Sequence, residues 1–173
     1  MSSSDNTFLI LKHNSRVAKG VQGMDNYSKV KIAIPPLMQV SIIESTGITA
    51  CHRAYFDETI DEVLFSGFSA ALVAFSKELG RELHALEMEG ITYYYATCNG
   101  FIFIVGVHPK VSHKHSRELL KEIMKAVDWE TLEEYLNKLL YFQTEEFEEK
   151  MNEIIAEFQF KLKDEILNST QET

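Results

Sequence analysis

The fold is decided by residues 40–80, VSIIESTGITACHRAYFDETIDEVLFSGFSAALVAFSKELG. Apolar and polar residues alternate on both sides of Thr46-Gly47, which is typical of two strands joined by a tight turn. Acidic residues then cluster where a helix N-terminus favours negative charge, and Gly80 supplies a C-terminal stop. The stretch therefore predicts a β-hairpin followed by a helix from Ile60 to Leu79.

Three more strands and three more helices are predicted after this helix. The segments LHALEMEG, ITYYYATC and FIFIVGVH predict a meander, in which Asn99-Gly100 is a strong hairpin signal. Residues 112–127 carry apolar side chains at helical spacing, and Asp128 is suited to cap a further helix over residues 129–142. Residues 145–168 place apolar side chains three and four apart with an acidic opposite face, which predicts an amphipathic helix.

This order, β-β-α-β-β-β-α-α with one extra C-terminal helix, predicts an α+β fold. We expect a five-stranded antiparallel sheet with helices on both faces. The chain then divides into an N-terminal extension (1–36), the α+β domain (37–142) and an acidic amphipathic C-terminal helix (143–173). Because the extension lacks a periodic apolar pattern, removing residues 1–30 should leave a domain that still melts cooperatively.

Composition and charge narrow the class of protein. The 173 residues are 45% apolar, so the chain can bury one core and does not have the composition of a disordered chain. The net charge is −9, and residues 128–173 carry the whole excess, with 13 acidic against 4 basic residues. Because nucleic acids and anionic membranes are also negatively charged, we expect neither as a direct ligand of this segment.

Residues 40–80 and the Asn99-Gly100 hairpin resemble longin domains, most closely stand-alone archaeal or other prokaryotic members. The resemblance covers about residues 38–127. Longin and roadblock domains are similar folds found in trafficking SNAREs, adaptor small subunits, TRAPP subunits and regulators of Ras-like GTPases. The resemblance implies a non-catalytic protein-interaction scaffold in trafficking or signalling. Its partner would be a small Ras-like GTPase, another longin or roadblock chain, or a second copy in a homodimer.

The predicted central helix is apolar nearly all round. The stripe Ile60, Leu64, Phe68, Ala71, Phe75 and Leu79 suffices to cover a sheet face, so we expect it to face the sheet. The opposite side is then free, and either a partner or the C-terminal helix should cover it. The predicted partner-binding residues on that side are Phe65, Ser69, Leu72, Val73 and Ser76.

The two cysteines, Cys51 and Cys98, are too few for a disulfide framework. In a longin-like sheet they lie on the second and fourth strands, which are not neighbours, so we expect two free thiols. Cys51 cannot share a proton with adjacent His52, since neighbouring strand residues point to opposite faces. With no signal-peptide core and no run of about 18 apolar residues, the sequence predicts a cytoplasmic protein that does not insert into a membrane.

Other candidate sites have weaker support. His108, His113 and His115 have poor geometry for zinc, and no completing ligand lies nearby, so we expect no metal. Tyr93, Tyr94 and Tyr95 could line the pocket of a PAS- or GAF-like small-molecule sensor, which is the alternative function; ordinary sheet packing is favoured. No phosphate-binding, dinucleotide-binding or esterase motif occurs, so we predict neither an enzyme nor a cofactor.

Overall fold

The elements of the chain follow the predicted order. The computed structural model describes residues 35–56 and 61–169, with side chains as far as Asp164, so most of the predicted extension lies outside the description. The elements are β1 (Leu37–Glu44), β2 (Thr49–Ala54), α1 (Glu62–Glu78), β3 (Ala85–Met88), β4 (Ile91–Cys98), β5 (Phe101–Val107), α2 (His113–Ala126), α3 (Trp129–Glu134), a 3₁₀ helix (Lys138–Gln143) and α4 (Glu145–Ser169).

The five strands form one antiparallel sheet in the order β2-β1-β5-β4-β3. Asn99 and Gly100 connect β4 to β5 with φ angles of 49° and 81°, the left-handed conformation that a tight hairpin turn requires. Cys51 on β2 and Cys98 on β4 are separated by β1 and β5, and both thiols are free. The predicted sheet and the predicted absence of a disulfide are therefore confirmed.

Helices cover both faces of this sheet. α1 packs on one face, against Met38, Ile43 and the apolar residues of β4 and β5 that point the same way. The opposite face carries α2, α3, the 3₁₀ helix and α4, whose buried side chains form a larger core with Phe101 and Phe103. No helix in the described part of the chain is long and apolar enough to cross a membrane.

Two predicted helix boundaries differ from the structure. α1 begins at Glu62, because the Asp61 carboxylate accepts the backbone N–H of Leu64 and caps the helix there. The prediction of a single helix over residues 129–142 is wrong. α3 starts after the predicted cap Asp128 but stops at Glu134, and the Asn137 side chain accepts the Leu139 N–H and starts a separate 3₁₀ helix.

Candidate protein-interaction surface

Among the described residues, the candidate histidines and Cys51 make packing or hydrogen-bond contacts within the fold. None of their His, Cys, Asp and Glu side chains form a group of three or more that could hold a metal ion. Nδ1 of His108 accepts the Lys110 N–H, and the ring of His113 packs edge-on against Tyr94, with centroids 5.1 Å apart. Burial raises the pKa of the Cys51 thiol, which favours its protonated form.

The three tyrosines of β4 serve as packing residues. Tyr93 and Tyr95 belong to the core beneath α1, and Tyr94 belongs to the core on the opposite face; each is at most 6% exposed. A surface groove of about 270 Å³ lies elsewhere, between α2 and α4, and no tyrosine lines it. The structure therefore gives no support to a tyrosine-lined sensor pocket.

The predicted partner-binding residues lie on the side of α1 that faces the sheet. Phe65, Ser69 and Val73 are 8%, 0% and 5% exposed, and Leu72 and Ser76 are half-buried at the margin. The prediction of which side of the helix covers the sheet is wrong. In this structure Phe65, Ser69 and Val73 are not available to a partner.

Size and polarity explain why this side of α1 faces inward. Large side chains such as Tyr93 and Tyr95 already fill the sheet face, so the helix approaches with small residues, including Ser69 and Ala70. The Ser66 hydroxyl lies 2.6 Å from the hydroxyl of Thr49 on β2. The helix therefore meets the sheet with small residues and one phenyl ring, Phe65, and the stripe with Phe68 and Phe75 turns outward.

The opposite side of α1 is an exposed apolar surface. We call it the outer face of α1 and define it by five large side chains, which are 80%, 73%, 49%, 63% and 60% exposed in the order Val63, Leu64, Phe68, Phe75 and Leu79. It extends over about 24 Å at a rise of about 1.5 Å per residue. Small residues lie between the large ones, and from Val63 to Ser76 the helix carries no charged side chain.

The β1–β2 turn lies beside this surface. A Cβ built on Gly47, whose φ is +94°, would be 3.4 Å from the Cα of Gly67 and 3.6 Å from the Cβ of Ala70. Glycine at both positions lets the turn and the helix approach closely. Ile48, the next residue of the turn, is 52% exposed and adds an apolar side chain close to the helix.

The acidic C-terminal helix does not cover the outer face of α1. Its apolar side chains enter the core on the opposite face of the sheet, where Phe147, Met151 and Leu162 are fully buried. Arg53 of β2 holds the helix from the side, with guanidinium contacts of 2.7 Å to Glu148 and 2.8 Å to Asn152. The helix is therefore part of the domain core.

Comparison with known proteins finds likeness in structure but none in sequence families. No family model matches the chain, and no curated protein does. A chain of a homology model of the full-length AP-3 complex in a stretched open conformation matches with a TM-score of 0.54 and 14% identity, over 79% of this chain and 95% of that one.

Two bacterial proteins give lower scores. The Roadblock/LC7 domain from Streptomyces avermitilis has a TM-score of 0.43 and 10% identity, over 57% of this chain and 91% of that one. Myxococcus xanthus MglB has a TM-score of 0.39 and 19% identity, over 53% and 85%. With its sheet order and its likeness to the AP-3 chain, this chain has the longin-like α+β fold that the sequence predicted.

Proposed function

We propose that this chain is a non-catalytic protein-interaction scaffold of longin type, and that the outer face of α1 is its docking surface. The observation that carries the proposal is the exposure of five large apolar side chains along one helix. Contiguous apolar patches beyond a few hundred Å² are unusual on a free monomer and mark interaction sites. The AP-3 chain, which matches this chain with a TM-score of 0.54, is itself part of a protein complex.

The partner we propose is a small Ras-like GTPase or another longin or roadblock chain, acting in cytoplasmic trafficking or signalling. A second copy of this chain is a further occupant, because a charge-free centre can meet its own copy without like-charge repulsion. Leu72, half-buried at the margin of α1, would extend the contact. Of the five partner-binding residues predicted from the sequence, we include in the proposed surface the two that are half-buried, Leu72 and Ser76.

A photo-reactive phenylalanine analogue at position 75 tests the proposal in the native cell. Phe160 provides the matched control, because it is a 72% exposed phenylalanine on α4. We expect covalent capture from position 75 and not from position 160. The captured protein is then purified and mixed with the unmodified chain, and the mass of the complex is measured by light scattering.

The identity of the captured protein separates the candidate partners. A Ras-like GTPase, a longin or roadblock chain, or a second copy, followed by a complex of the expected mass, would support the proposal. Equal capture from both positions, or no complex between the purified proteins, would refute it.

A further inference from the structure

A series of polar contacts runs beneath α1 and returns to its first turn. Gln39 Nε2 donates to Ser41 Oγ at 2.9 Å, and Ser41 Oγ lies 2.9 Å from Nδ1 of His52. The Tyr93 hydroxyl donates to Gln39 Oε1 at 3.5 Å, and its ring packs against Phe65 of α1 with centroids 5.1 Å apart. Gln39, Ser41 and Tyr93 are at most 3% exposed, so these contacts are shielded from water.

The protonation state of His52 determines how these hydrogen bonds are directed. Ser41 Oγ already accepts a hydrogen bond from Gln39, so its own hydrogen is free to be donated to Nδ1 of a neutral ring. A protonated ring carries a hydrogen on Nδ1, and the buried Ser41 hydrogen would then lose its acceptor. Burial of the ring, a separate effect, lowers the pKa of His52 below its usual value of 6.5.

One charged residue of α1 acts on His52 in the opposite direction. Glu62, the first residue of the helix, raises the pKa of His52 by its negative charge, although burial has the larger effect. β1 faces the ring with Ser41 and Gln39, which do not titrate in this range. Within residues 35–56 and 61–169, Glu62 is the charged group that favours the protonated ring.

We propose that His52 is a proton-sensitive contact that sets the position of the first turn of α1. The neutral ring accepts a hydrogen bond from Ser41. The protonated ring instead donates to Ser41 Oγ, leaves the Ser41 hydrogen without its acceptor and attracts the Glu62 carboxylate, which draws the first turn of the helix toward β2. The proposal concerns α1 alone. Transmission of the change to a partner on the outer face rests on the proposed function.

Nuclear magnetic resonance across pH 5–8 tests this contact, with the His52 ring and the backbone amides of residues 62–65 followed together. We expect the amides to titrate with the same midpoint as the ring. Ser41→Ala should raise that midpoint, because it removes the donor to the neutral ring, and Glu62→Gln should lower it. His52→Gln should abolish the change in the amides, whereas the control His84→Gln, at a 53% exposed side chain, should leave it intact.

The same titrations can overturn the proposal. It fails if the His52 midpoint is unchanged in Glu62→Gln, or if the amides of residues 62–65 do not follow the ring. Glu62 is exposed, so this variant folds even if Ser41→Ala does not. No partner is present in these titrations, so loss of docking on the outer face would not alter them, and the two proposals can fail separately.

Discussion

The two faces of the sheet are built in different ways. On the face that carries α2, α3 and α4, aromatic rings interlock, and the hydroxyl of buried Tyr141 accepts the Asp128 N–H at 2.7 Å. On the face beneath α1, small and polar side chains meet the sheet. There the buried Tyr95 hydroxyl and Ser69 Oγ interact with each other, although their contact lacks ordinary hydrogen-bond geometry.

We infer that one face of the sheet mainly stabilises the fold, whereas the other mainly serves the proposed function. The aromatic face buries four helical segments in the larger core, so we expect most of the free energy of unfolding to come from it. The α1 face places one helix on a smaller, partly polar surface and leaves large apolar side chains in solvent. We infer that α1, held in this way, presents its outer face to a partner.

The largest expected effect is on the aromatic face. Phe147, which is fully buried and 5.1 Å from Phe142 between ring centroids, should lose about 3–5 kcal/mol of unfolding free energy when replaced by alanine. The control Phe75→Ala, on the outer face of α1, should stay within about 0.5 kcal/mol of the natural chain. Urea unfolding measures both. Similar losses in the two variants would mean that the two faces of the sheet contribute equally to the free energy of unfolding.

A pair of hydroxyl deletions sharpens the same contrast. Tyr141→Phe leaves the Asp128 N–H without its acceptor, so it should cost about 1–3 kcal/mol of unfolding free energy. Tyr95→Phe removes a buried hydroxyl whose contact with Ser69 lacks ordinary hydrogen-bond geometry, so it should change the free energy of unfolding by less than about 1 kcal/mol. Thermal and urea unfolding of the two variants would show this difference. Equal destabilisation would contradict the assignment of a weaker polar contact beneath α1.

A smaller effect is expected on the pH dependence of stability. Because the pKa of His52 in the folded chain lies below its usual 6.5, the unfolded chain binds more protons just below pH 6.5. The free energy of unfolding should therefore fall as the pH drops from 6.5 toward the folded pKa and stay level, for this residue, below it. Urea unfolding between pH 7.5 and 5.5 should show a weaker fall in His52→Gln than in the natural chain. An identical slope would rule out this contribution.

The sequence predicted the sheet because its signals are local. Alternation on both sides of Thr46-Gly47 and the Asn99-Gly100 turn are written in adjacent residues, and the structure confirms both hairpins. The amphipathic pattern of residues 145–168 likewise predicted α4. Such signals need no knowledge of what packs against them.

The orientation of α1 could not be read in the same way, because both sides of that helix are apolar. The orientation depends on the sheet, where Phe65 packs against Tyr93, and the small residues Ser69 and Ala70 are buried with it. The periodicity of apolar residues within the helix gives no information about the volume of side chains on distant strands. The serines on this side of the helix were the available signal, since Ser66 lies against Thr49 of β2 and Ser69 is fully buried.

The central claim is that the outer face of α1 is a docking surface. One matched pair of charge substitutions tests this claim most directly. Phe75→Glu and Phe160→Glu each place a carboxylate on an exposed phenylalanine position, 63% and 72% exposed in the natural chain. The complex with the captured partner is measured by size exclusion with light scattering, alongside a thermal melt. We predict that both variants keep the natural melting temperature, that Phe160→Glu keeps the complex, and that Phe75→Glu weakens it at least about tenfold. An intact complex in Phe75→Glu, or a large fall in its melting temperature, would contradict the claim that this helix displays its apolar stripe for a partner.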